Sequence, residues 1–268
     1  MNSNSKISLH SGRQMPIIGL GTWKLKDNTP DIIDQALGMG YTMIDTSGDY
    51  GTQPGIKQGI AKRGVRRESF YLVTKVEENE NAYEASKKNL QELGLDYADL
   101  MLIHRPPPTA SGSEQIWEQL IKAREDGLAK DIGVSNYSIE QIEALAESTG
   151  IWPAVNQIEW SPFGHSEEML DFCNDNEIII QAYSPITRQE KLEDERLTRL
   201  AEGYNKTPAQ ILIRWNLQLG TVPLPKANSQ QHLRENIDVF DFEISDDDMS
   251  SLSDYNEMYS ALGELKYT

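Results

Sequence analysis

Four side chains of different chemistry, Asp45, Tyr50, Lys75 and His104, each stand at or just beyond the end of a short apolar run. A carboxylate at a strand tip and a phenol on the loop that follows can face one cleft, where the phenol can hand a proton to a reacting oxygen. A charged lysine beside that phenol stabilises the tyrosinate and is expected to lower its pKa. The same pattern continues down the chain, with Ser135-Asn136, Gln157-Ile158-Glu159, Tyr183-Ser184 and Lys226 closing later apolar runs. Each has a bland explanation taken singly: Asp45-Thr46-Ser47 is turn and N-cap composition, Lys75 can snorkel to solvent, and His104 can be a wall residue before Pro106-Pro107-Pro108. Their convergence on one rim is what argues for chemistry.

The elements that would carry them recur as eight units of short strand, polar turn and amphipathic segment. The strands are expected at Ile17–Leu20, Met43–Asp45, Tyr71–Thr74, Leu100–His104, Asp131–Val134, Ala154–Ile158, Ile178–Ala182 and Thr221–Leu224, all near-continuously apolar as buried parallel strands are. Helices are expected at 31–39, 56–63, 81–93, 114–126, 139–148, 167–175, one long stretch over 194–219, and 230–240. Ser138 with Gln141 and Thr207 with Gln210 fit capping boxes, and Pro208 suits a first helical position. Gly64, Gly94 and Gly127 stand where helices should stop. Ahead of these units, "KISLH", a Ser11-Gly12-Arg13 turn and "QMP" read as a hairpin.

Eight such units with no linker-like segment predict one (β/α)8 TIM barrel domain over 1–268, with the N-terminal β-hairpin closing its bottom. "GLGTWK" lacks the third glycine of a dinucleotide fingerprint, which argues against a doubly wound sheet. The net charge is −17, so nucleic-acid backbones and anionic membranes are excluded as partners, and any anionic ligand requires a locally basic pocket. A single cysteine, Cys173, excludes an internal disulfide, and the four histidines lack metal spacing, so no metal is expected. The polar start "MNSNSK" and the absence of a long apolar run predict a cytoplasmic protein.

The stretches "GLGTW", "DTSGDYG", "LVTKV", "DLMLIHRP", "IGVSNYS", "VNQIEWSPF", "AYSP", "KTPAQILIRW", "PLPKANS" and "ENIDVFDFEIS" lie in the order and spacing of the aldo-keto reductase family, which the chain resembles over nearly its whole length. The resemblance implies an NADPH-dependent reduction of aldehydes or ketones, with NADH as an alternative donor, on a small-molecule carbonyl, by a monomer. It makes Asp45, Tyr50, Lys75 and His104 the catalytic tetrad, with Tyr50 the proton donor and His104 orienting the carbonyl. Cofactor contacts are implied at Gly21, Thr22, Asp45, Ser135, Asn136, Gln157, Tyr183, Ser184, Lys226, Ala227, Asn228, His232, Glu235 and Asn236. Substrate contacts are implied at Trp23, Tyr50, His104 and Arg105.

Three departures from the family pattern bear on the pocket. Arg105 replaces the usual tryptophan after the histidine, where it can pair with a substrate carboxylate or turn to surface acids; Val76 stands at another position that is often tryptophan. The loop from Tyr183 to Leu197 is short, and His232 stands where an arginine commonly supports the adenosine 2′-phosphate. Two other readings stay open on sequence alone: a noncatalytic NADPH-binding regulatory subunit of the same fold, and an aldolase using Lys75 as a Schiff base.

Overall fold

The structure, a computed structural model, describes residues 1–268. The chain opens on a hairpin in which β1 (Lys6–Ser8) and β2 (Gln14–Pro16) pair antiparallel, Ile7 opposite Met15. There follow β3 (Leu20–Gly21), α1 (Thr29–Gly38), β4 (Met43–Asp45), α2 (Gln53–Arg63), β5 (Tyr71–Val76), α3 (Ala82–Leu93), β6 (Ala98–Ile103) and α4 (Ala110–Glu125). The second half runs β7 (Ala129–Ser135), α5 (Ile139–Thr149), β8 (Val155–Glu159), α6 (Glu167–Asp175), β9 (Ile179–Tyr183), α7 (Glu195–Gly203), α8 (Pro208–Gln218), β10 (Val222–Pro223), α9 (Gln230–Ile237) and α10 (Asp246–Ser253).

Strands β3 to β10 pair in chain order and in parallel, as the alternation of units predicts. The ring closes where Gly19 and Gly21 donate their N–H groups to the carbonyls of Pro223 and Pro225, at 3.1 and 3.2 Å. Both prolines lack an N–H to return, so this seam has half of an ordinary ladder, while Leu224 turns its N–H to Ala182 on the other side. Side chains alternate along the strands. On β5, Tyr71 and Val73 point into the barrel and Leu72 and Val76 point out to the helices. Met15 and Leu9 of the hairpin segment join Met43, Leu100 and Val222 in the interior cluster, and so plug the amino-terminal end of the barrel.

The cap signals hold. Ser138 and Thr207 each form a full capping box with Gln141 and Gln210, and Gly64 and Gly94 end their helices in the left-handed conformation. Three expectations are corrected. The long 194–219 helix is two helices, broken because Asn205 takes φ +51° and Thr207-Pro208 starts a new N-terminus. Ile17 and Ile18 are not barrel strand; they pack outward with Ile213, Leu217 and Val239. α10 was not foreseen: its eight residues carry little apolar patterning, although Ser245 caps it and three aspartates fill its first turn. No helix is long and apolar enough to cross a membrane.

Candidate active site

Asp45 ends β4 and Lys75 lies one residue before the end of β5, so adjacent strands bring them together inside the barrel mouth. Both are buried, and the ammonium of Lys75 reaches the two Asp45 oxygens at 2.8 and 3.0 Å and the Thr46 carbonyl at 2.9 Å. Its three N–H donors are thereby all used, which leaves no free amine for a Schiff base. Gln157 at the tip region of β8 donates to the same Asp45 carboxylate at 2.9 Å.

Tyr50 closes a short 3-10 turn, Gly48–Tyr50, that follows β4. Its ring lies 5.1 Å from the Lys75 ammonium and packs edge-on to His104, the centroids 5.7 Å apart. The expected lowering of the phenol's pKa is not what this arrangement gives. Burial, then the charges of Asp45, Asp49 and Glu77, push it well above the ordinary value, with Arg105 opposing. The lysine's charge is cancelled at close range by Asp45, so little of it reaches the phenol. Tyr50 therefore keeps its proton throughout the neutral range.

His104, immediately after β6, is anchored through Nδ1, which lies 2.7 Å from Glu77 Oε1 and 3.3 Å from Ser47 Oγ. The second Glu77 oxygen accepts from Arg105 at 2.7 Å. Burial of Glu77 opposes its ionisation, but the bond and charge of His104, then Arg105 and Ser47, outweigh it and bring the pKa to about 2. Arg105 also reaches Asp49 and Glu78, both at 3.3 Å. Of the two environments open to Arg105, it thus occupies the one made of this chain's own carboxylates. Val76 is buried in the outer core, and it is the next residue, Glu77, that faces His104.

Beside this group, Ser135 at the end of β7 donates to the Gln157 carbonyl at 2.7 Å, and Asn136, held at φ +64°, donates to the His104 carbonyl at 3.1 Å. Tyr183 ends β9 half-buried and donates its hydroxyl to Asn136 Oδ1 at 2.7 Å. Ser135, Asn136, Gln157 and Tyr183 thus form one continuous polar wall with the tetrad. Glu159, two residues beyond Gln157 at the end of β8, is engaged otherwise: it accepts from Ser260 Oγ and the Ala261 N–H, and so ties the C-terminal segment to this strand.

The remaining expected cofactor positions divide. Gly21 forms the closing seam, where a Cβ would meet the Leu224 carbonyl at 2.7 Å, and the Thr22 hydroxyl is committed to the Asp45 carbonyl at 2.8 Å. Ala227 is buried; Asn228 and His232 face each other, 3.2 Å between Oδ1 and Nδ1. Glu235 accepts from Thr207, and Asn236 is buried with its amide on the Lys226 carbonyl. The ammonium of Lys226 is pushed below the ordinary lysine range by partial desolvation and then by the like charges of Lys24 and Arg188.

Lys24 and Arg188 lie outside the residues expected from sequence. Both sit over the ring of Trp23, at 4.1 and 4.2 Å from its centroid. Arg188 belongs to a turn in which Thr187, Arg188 and Gln189 all have positive φ, a strain of about 1–3 kcal/mol per residue that persists where the surroundings hold it. Tyr259 and the Ala261 carbonyl of the C-terminal segment supply that hold. No local motif announces Arg188. Its only trace in the sequence is that an acidic chain needs a cationic pocket somewhere to hold an anion.

Lys24, Arg188 and Lys226, which follow β3, β9 and β10, make a cationic cluster within reach of one another's charge, and the amide and hydroxyl groups of Asn136 and Ser135 follow β7 on the same rim. A phosphate-bearing nicotinamide cofactor fits this donor set: cations for phosphate at one end, and hydrogen-bonding side chains and the Tyr183 ring at the other.

The sequence pattern of the Aldo/keto reductase family matches residues 17–257. The glyoxal reductase of Bacillus subtilis is 37% identical over 257 residues, spanning 94% of this chain and 92% of that one. An aldo-keto reductase of a Mycobacterium species is 38% identical over 252 residues, 92% of this chain and 91% of its own. Among solved structures, the Bombyx mori aldo-keto reductase in complex with NADP superposes with a TM-score of 0.89 at 31% identity, covering 97% of this chain and 95% of that one.

Proposed function

From the premise that this chain belongs to the aldo/keto reductase family, and is an oxidoreductase, we propose that it reduces small uncharged aldehydes or ketones to alcohols with NADPH. The observation that carries the reading is the buried Lys75–Asp45 pair beneath Tyr50, with His104 edge-on to the phenol, on the rim that also holds the polar wall. When bound, the nicotinamide supplies the hydride. Everything else is done by side chains. Ser135, Asn136 and Gln157 orient the carboxamide, and the half-buried Tyr183 ring offers a stacking face. Tyr50 gives its proton to the oxygen that gains charge, and His104 fixes that oxygen in place. The raised phenol pKa is compatible with this role, because an alkoxide is a far stronger base than a phenolate and the proton is always present to be given.

The pocket rim bears on substrate charge. Asp49, Glu77 and Glu78 surround the single Arg105, so the local balance is negative and a carboxylated carbonyl would meet repulsion. Glyoxal, the substrate in the name of the Bacillus subtilis relative, is uncharged and is the natural first test. A preference for NADPH over NADH is supported by the Lys24, Arg188 and Lys226 cluster. It is expected to be weaker than in a chain with arginine at 232, where here a histidine faces Asn228.

The experiment is NADPH oxidation with glyoxal and neutral aromatic aldehydes by the native chain and by Tyr50→Phe. Turnover should fall about 10²–10⁴-fold in the variant while NADPH binding is retained. Near-native turnover by Tyr50→Phe would remove the phenol from the mechanism. No turnover of any carbonyl by a native chain that binds NADPH would favour a noncatalytic binding subunit. The reading takes 1–268 as one working unit, and size-exclusion chromatography reads whether it is the expected monomer.

A further inference from the structure

His104 has a partner that the tetrad does not include. Glu77 Oε1 lies 2.7 Å from Nδ1 and also accepts from Ser47 Oγ at 3.2 Å, while Oε2 accepts from Arg105. Every contact to this carboxylate is therefore from a donor, and a carboxylate so saturated is acceptor-only. The proton of the Glu77–His104 bond must then belong to Nδ1. That assignment has a consequence for Nε2, which makes no hydrogen bond within the chain. In a neutral ring with its proton on Nδ1, Nε2 carries only a lone pair; it can donate to a substrate oxygen only when the ring holds both protons.

We propose that Glu77 is a positioning residue for the reduction: it fixes the single proton of neutral His104 on Nδ1, so that Nε2 donates to the carbonyl oxygen only from the doubly protonated ring. This deepens the reductase reading and rests on it for the role of His104. The charged and titratable groups around the ring are Asp49 and Tyr50 from the turn after β4, Glu77 beyond β5 with Glu78 behind Arg105, Arg105 itself, and the Lys75–Asp45 pair beneath the phenol. From β7 the ring's own backbone meets only the uncharged amide of Asn136. Among these, Glu77 is the closest acceptor to Nδ1, against 3.5 Å for Asp49.

The test combines a tautomer measurement with a pH profile. The protein has four histidines, so nitrogen-15 labelling of histidine gives four rings, with His104 assigned by its loss in His104→Asn. In the native chain the neutral His104 ring should carry its proton on Nδ1. Its kcat/KM for glyoxal reduction should fall about tenfold per pH unit once the ring begins to lose its second proton. In Glu77→Gln the amide can donate to Nδ1 instead, so the neutral ring should move its proton to Nε2, and kcat/KM should become flat within about twofold across the same range. Arg105→Gln changes the charge of the cluster but leaves the Nδ1 bond, and should keep both the Nδ1 tautomer and the falling limb. His10, His165 and His232 report whether each variant is folded. The proposal is overturned by a native neutral ring protonated on Nε2, by a Glu77→Gln variant with the native tautomer and pH profile, or by an Arg105→Gln variant that behaves as Glu77→Gln was expected to. The tautomer is read without turnover, so a chain that reduced nothing would sink the reductase reading and leave the Glu77 result standing.

Discussion

At the scale of single residues, Lys75 decides how the site is charged. It is fully buried, and the Asp45 carboxylate and the Thr46 carbonyl surround its ammonium in place of water. Breaking such a pair costs more than the pair is worth, because the partner left behind is a buried charge with nothing opposite. Lys75→Met should therefore destabilise the chain by about 3–5 kcal/mol, and Asp45→Asn added to it should recover part of that loss. Urea unfolding of the two variants reads this directly; a single variant as stable as the native chain would mean that Asp45 is solvated or neutral. That Asp45, Tyr50, Lys75 and His104 share one rim was legible because three of them stand at the ends of apolar runs and Tyr50 hangs from the loop after the first. The electrostatics were not: proximity of lysine to tyrosine predicts a lowered phenol, whereas burial of the phenol and the Asp45 carboxylate that faces the lysine push it up. Glu77 was hidden for a related reason. An acidic residue in "KVEENEN" reads as loop composition, and only the pairing of β5 with β6 sets it against the ring of His104.

At the scale of elements, the alternation of strand and helix was readable throughout, and the failures fall where tertiary context overrides a local pattern. Ile17 and Ile18 look like strand, yet the outward face they present is claimed by α8, and the strand forms only at Leu20–Gly21. The break between α7 and α8 was written in Thr207-Pro208 but masked by apolar residues on both sides. The closing seam follows from a sequence oddity, two prolines around Leu224 opposite Gly19 and Gly21. Because half of its hydrogen bonds are missing, close backbone approach has to make up the join, and Gly21 permits it: a Cβ there would sit 2.7 Å from the Leu224 carbonyl. Gly21→Ala should cost about 1–3 kcal/mol by forcing the strands apart. It should also loosen the adjoining segment around Lys226, since Gly21 bridges that residue. Hydrogen exchange at Gly19 and Gly21, which supply the seam donors, is the measurement; unchanged exchange and unchanged stability would show that the seam does not depend on close contact.

At the scale of the whole molecule, a chain of net charge −17 must bind a polyanionic cofactor against its own field. The two contributions differ in range. Repulsion from the distributed carboxylates acts over the molecule and is screened within about 10 Å at 0.1 M salt, whereas contacts of phosphate with Lys24, Arg188 and Lys226 act at hydrogen-bond distance and resist screening better. Added salt therefore weakens the attraction and relieves the repulsion at the same time, and which effect wins depends on the three cations. With them in place, NADPH affinity should fall as salt rises. In Arg188→Met combined with Lys226→Met the local attraction is largely gone, so affinity at low salt should drop at least tenfold to hundredfold, taking about 1.5–3 kcal/mol for a charge-assisted contact. What remains in that variant is mostly repulsion, and its NADPH affinity should then rise, or stay level, as salt is added. Fluorescence titration of NADPH across a salt series in both proteins gives the two slopes. A double variant that keeps the native negative slope would mean that the phosphates are held elsewhere on the barrel rim, and that Arg188 over Trp23 serves the fold of the 187–189 turn instead.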